Sequence, residues 1–213
     1  MISTFTRLDL SSWFLRAQTI LTLALVAAVG VLLPVPGMAI MASAAVTSLM
    51  VSAPFLGDER GRLDALYGVL PLSRNNVVVG RTLSILVYYL VSVALAIIVT
   101  FASARVRGAP FDSEILLIAG AASLAFVGLS MALQLPVFFR VGYSRGRLMA
   151  YAPVFVVAGS AWLLQATGSH VNVLGAFAGL SIVGVASIGA LIGVIGVTCG
   201  LIAAARLYRV REL

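Results

Sequence analysis

The chain has 213 residues, 62% of them hydrophobic and 10% charged, with a net charge of +7 carried by 14 basic residues over seven acidic ones. A soluble globular domain would carry about 25% charge, so the composition points to an integral membrane protein of one domain, residues 1–213. The apolar runs are continuous and do not alternate, which argues against a transmembrane barrel. Every basic residue is arginine, and none of them forms a stripe interleaved with exposed aromatics. The excess therefore reads as loop charge on the cytoplasmic side of a membrane, not as a nucleic-acid surface.

In chain order, residues 2–15 are expected to form a short helix in the cytoplasmic interface. Phe5, Leu8 and Leu15 can share a face, with Trp13 and Arg16 at the headgroup boundary. Asp9 and Trp13 interrupt this leader and no A-x-A site follows a short apolar h-region, so no cleavable signal is expected. The first span is placed at 17–33, about 26 Å at the helical rise. Pro34, Pro36 and Gly37 then make a tight turn. The second span, 38–56, is rich in Ser43, Thr47, Ser48 and Ser52, which suits close helix packing, with lining of a pathway as the rival use.

A charged island follows at 58–81, holding seven of the 21 charged residues between long uncharged runs. The third span is placed at 82–104, the fourth at 115–139 and the fifth at 148–166. The last apolar run, 173–205, would be about 50 Å as one helix. Its first third is therefore expected to be re-entrant or interfacial, with the sixth span at 183–204 and Gly175, Gly179 and Gly184 allowing the break. With both termini cytoplasmic, 12 of 14 arginines lie inside, and only Arg105 and Arg107 lie outside beside Asp112 and Glu114. The fold class is thus all-α, with six transmembrane helices.

Catalytic chemistry is missing from the pattern. The single histidine, His170, is expected in an outer loop, where solvated structure is its plainest role and proton sensing the sharper one. No Ser/His/Asp set or Cys/His cluster occurs, and without lysine no phosphate loop of the G-x-x-x-x-G-K type is possible. The lone Cys199 sits in an apolar run and reads as a small buried thiol. The expected spans hold no charge, which argues against an ion-coupled pump. Ser48, Ser52, Gln134 and Gln165 are the pathway candidates, with hydrogen bonding between helices as the alternative.

Within the island, Leu63, Leu66, Tyr67 and Leu70 recur at i, i+3, i+4 and i+7, one face of a helix. Asp58 and Glu59 are expected near that helix's start, where its dipole favours acids. Pro71 ends the helix, and Ser73 or Asn75 can cap the next. This is read as a socket for a soluble partner. A solvated amphipathic loop would account for Arg60 and Arg62, but not for such dense turn and cap signals.

The run Asp58-Glu59-Arg60-Gly61, the apolar helix, Leu70-Pro71-Leu72-Ser73-Arg74, Gly80-Arg81 and the leading Arg7-Leu8-Asp9-Leu10 resemble a compact group of ABC transporter permeases of the type-2 exporter class. That group includes the membrane subunits of bacterial exporters of amphipathic toxic peptides. Gly68-Val69 departs from the usual run of helix formers. The resemblance implies two permease subunits, identical or related, in a bacterial cytoplasmic membrane, with two separate ATP-binding subunits docked below. ATP and Mg would be held by those partners, and this chain would not itself be an enzyme or bind a cofactor. The helix between spans two and three would be the coupling helix, and the N-terminal one the connecting helix. Coupling would then rest on Asp58, Glu59, Arg60, Gly61, Leu63, Leu66, Tyr67, Leu70, Pro71, Ser73 and Arg74. Either the apolar face grips the partner, or it packs under the spans and leaves the charged face to do so. A membrane anchor for a cytosolic partner and a stand-alone channel are the rival functions.

Overall fold

A computed structural model describes residues 2–14, 16–33, 35–61, 73–108, 112–169, 171–172, 175 and 179–210. Within them the chain is helical, without strands: α1 (Ile2–Trp13), α2 (Ala17–Leu32), α3 (Met38–Met50), α4 (Ala53–Gly61), α5 (Arg74–Arg107), α6 (Ser113–Gly146), a 3₁₀ turn at Arg147–Ala150, α7 (Ala152–Ala166) and α8 (Ile182–Val210). Four stretches are long and apolar enough to cross a membrane: Met38–Glu59, Arg74–Arg107, Ser113–Ala150 and Ile182–Tyr208. A fifth is added if Phe5–Trp13 and Ala17–Leu32 count as one bent span. The chain is a multi-pass helical membrane protein. The apolar α7, at 15 residues, is shorter than a usual span.

Local chemistry accounts for the boundaries. Gly37 enters α3 with φ +81, and a Cβ there would come within 2.9 Å of the Ala119 methyl, so the turn needs glycine twice over. Ser73 caps α5 by accepting from the Asn76 amide, which starts this helix at Arg74, ahead of the apolar run at 82. Asp112 likewise caps α6 through the amides of Glu114 and Ile115.

Contacts along the helices give their directions. Successive neighbours rise together on α6 and α8: Ala121 with Gly189, Leu124 with Gly193, Met131 with Gly200, and Phe139 with Tyr208 at 5.2 Å between ring centroids. These two helices are therefore parallel. Thr47 meets Ser92 and Asp58 meets Arg81, so α3 and α4 run against α5. The interior holds two apolar clusters. One gathers Phe5, Phe55, Ile85, Met131, Leu135 and Phe138; the other gathers Trp13, Val26, Ile40, Met50 and Tyr88.

Candidate functional site

The island does not form one transverse unit among the described residues. Asp58, Glu59 and Gly61 are the last turn of α4, and Ser73 and Arg74 begin α5. Asp58 and Glu59 lie in a helix that begins at Ala53, and the helix expected over 63–70 lies outside the described residues. The charge of both acids is met by groups from other helices. Arg62, Leu63, Asp64, Leu66, Tyr67, Leu70, Pro71 and Leu72 lie outside the described residues, and so does His170.

Asp58 ion-pairs with Arg81 at 2.5 Å, and the same guanidinium reaches Asp9 of α1 at 2.9 Å. Arg81 is 1% exposed and lies 4.9 Å from the centre of the Phe55 ring. Asp9 also accepts from the Ser84 hydroxyl and, at 3.4 Å, from the Trp13 indole. Three elements, α1, α4 and α5, are thus pinned at one point. A buried ion pair holds only when its remaining polar groups are satisfied, and Ser84 and Trp13 serve that need.

The N-terminal helix turns a different face inward from the one expected. Phe5, Asp9 and Trp13, four residues apart, are buried, while Leu8 is 65% exposed and Leu15 is outside the described residues. Trp13 is interior, packed on Tyr88 at 5.6 Å between centroids. Phe5 occupies the space a Cβ on Gly80 would need, at 2.5 Å. The buried carboxylate decides this face, because Asp9 must reach Arg81.

Glu59 makes a second tie. Its carboxylate accepts from the Ser144 amide at 3.0 and 3.2 Å, and from the Ser144 hydroxyl. The island is thereby joined to the end of α6. Arg74 donates to the Tyr208 carbonyl at 3.2 Å, joining the start of α5 to the end of α8. α4, α5, α6 and α8 thus meet at this end of the bundle.

The pathway candidates are dispersed. Ser48 and Gln134 are buried side by side, the Gln134 amide donating to the Ser48 hydroxyl at 3.3 Å and to the Ala150 carbonyl at 3.2 Å. Ser52 donates back to Leu49, and Gln165 is exposed on α7. An apolar groove of about 580 Å³ instead opens between α2, α3 and α7, lined by Leu33, Met38, Met41, Ala45, Val154 and Val157 among others. Cys199, expected to be buried, is exposed on α8. It sits between the glycines of the packed face, so the opposite side of the helix carries it outward.

Sequence reasoning missed the pairing of Asp9 with Arg81, although Phe5, Asp9 and Trp13 at four-residue spacing carried a signal. It also missed the packed ridge Gly189, Gly193, Gly196 and Gly200, whose spacing is that of a close helix contact. The Glu59–Ser144 tie had no local signal at all.

A family model described as ABC-2 family transporter protein matches residues 11–208. No curated protein and no solved structure matches the chain.

Proposed function

Because the chain belongs to the ABC-2 transporter family over nearly its whole length, we propose that it is the permease subunit of an ATP-driven exporter. In this reading two permease copies form the pathway, and separate ATP-binding subunits with ATP and Mg drive it from the cytoplasmic side of a bacterial membrane. The observation that carries the coupling role is the convergence of α1, α4 and α5 on Arg81, where α4 and α5 are the two helices that the segment 62–72 joins. A push on that segment reaches several spans at once, which is what a two-state pathway requires.

Six crossings with both termini inside agree with the helix directions. Because α6 and α8 are parallel, the chain between them must return across the bilayer, and α7 is the described helix available to do so. At 15 and 16 residues, α7 and α2 are about 23–24 Å long, short of a ~30 Å core by an amount that local thinning accommodates. The apolar groove favours a lipophilic or amphipathic cargo, such as a peptide, drug or lipid, over ions or sugars.

Co-purification with an ATP-binding-cassette subunit encoded beside this chain, followed by an ATPase assay in proteoliposomes, tests the reading. The expected result is a stable complex whose ATP turnover depends on this chain. Glu59→Ala and Arg74→Ala should leave insertion intact and lower transport per ATP hydrolysed. Solute flux through the chain alone, without nucleotide, would show it to be a channel, and a complex with unchanged ATP turnover would show it to be an anchor.

A further inference from the structure

α6 is helical up to Val141 and then breaks at Gly142, where φ is +78 and ψ 178. A side chain there would be strained, and its Cβ would also come within 2.7 Å of Glu59 Oε1. The half-buried Glu59 carboxylate therefore fills the notch of the break and holds Ser144 just beyond it. Downstream come the Arg147–Ala150 turn and α7.

α7 is held lightly. Pro153 is its one buried residue, and Ala150 ahead of it is tied by the Gln134 amide. By contrast α6 and α8 touch backbone to backbone: a Cβ at Gly193 would meet the Leu124 carbonyl at 2.7 Å, and one at Gly200 the Met131 carbonyl at 2.7 Å. One side of the Gly142 break is thus a rigid pair, and the other is a loosely packed arm. That arm is one wall of the apolar groove, while α2 and α3 form the facing wall.

We propose that Glu59 is a positioning residue, the latch of a hinge at Gly142 that sets where α7 stands against α3 and so sets the width of the groove. The inference deepens the coupling reading above and rests on it for its purpose: Glu59 lies near the end of the described part of α4, so a displacement of α4 is delivered to the groove wall through one carboxylate. Engaged, the latch keeps α7 close; released, it lets the arm turn about Gly142.

The test uses the full chain in lipid nanodiscs with Cys199→Ser as background. Spin labels at Met41→Cys and Val157→Cys read the distance across the groove. Labels at Ile118→Cys and Ile192→Cys read the α6–α8 pair as a measure of fold. Glu59→Ala and Gly142→Ala are expected to lengthen and broaden the 41–157 distribution and to leave 118–192 unchanged. Glu59→Gln keeps an acceptor oxygen and should fall between them and the unmodified chain. The latch is overturned if 41–157 is unaltered in both variants, or if both distances change together, which would make Glu59 a matter of folding alone. No ATP-binding subunit is needed, so failure to find that partner would count against the transport reading without touching the hinge.

Discussion

Among the described residues, Arg81 faces two carboxylates with one guanidinium. Removing the cation takes this partner from both acids. Arg81→Ala should lower stability by roughly 3–5 kcal/mol, read as an early thermal transition in detergent. Replacing the whole cluster, with Asp9→Leu, Asp58→Leu and Arg81→Met together, should cost less than Arg81→Ala alone, since no buried charge is then left unpaired. Equal losses in the two variants would place the cost in packing on Phe55, 4.9 Å away, and not in the stranded acids. Both Asp9 and Arg81 stand out in the sequence as charges flanking apolar runs, but local periodicity cannot pair residues 72 positions apart.

Among the elements, α6 and α8 form the tightest pair and α7 the loosest. Glycine means opposite things on the two. At Gly193 a Cβ would collide with the Leu124 backbone, whereas at Gly159 of α7 nothing lies within 4 Å. Gly193→Ala should therefore destabilise by about 1–3 kcal/mol through overpacking, while Gly159→Ala should be neutral or gain up to ~1 kcal/mol of helix propensity. Folded fraction after graded denaturant in mixed micelles would compare them. If both behave alike, the close contact of α6 with α8 is not what holds the pair. Element existence was legible from hydropathy and caps: α2 ends at Leu32 and α8 begins at Ile182, each one residue from its expected bound. The breaks were not. The division of 38–61 into α3 and α4 and the bend at Gly142 depend on what each segment meets: Arg81 and Ser144 engage the acids of α4.

For the whole molecule, the six-crossing topology proposed above puts a return crossing at α7, between the parallel α6 and α8. Single cysteines at Asp112, Arg145 and Thr167, on a Cys199→Ser background, should react with an impermeant maleimide from alternating sides: 112 and 167 from one face, 145 from the other. Labelling of 145 and 167 from the same face would remove α7 as a span and with it the six-crossing topology. Class and the presence of several long apolar runs follow from the sequence by itself, because hydropathy and charge are properties of each residue and its near neighbours. The meeting of Asp9, Asp58 and Arg81, the grip of Glu59 on Ser144 and the inward face of α1 were decided only in three dimensions. Each joins groups 23 to 85 positions apart, and in an apolar interior a buried charge is stable only where a distant helix brings its counter-charge or hydrogen-bond donor to it.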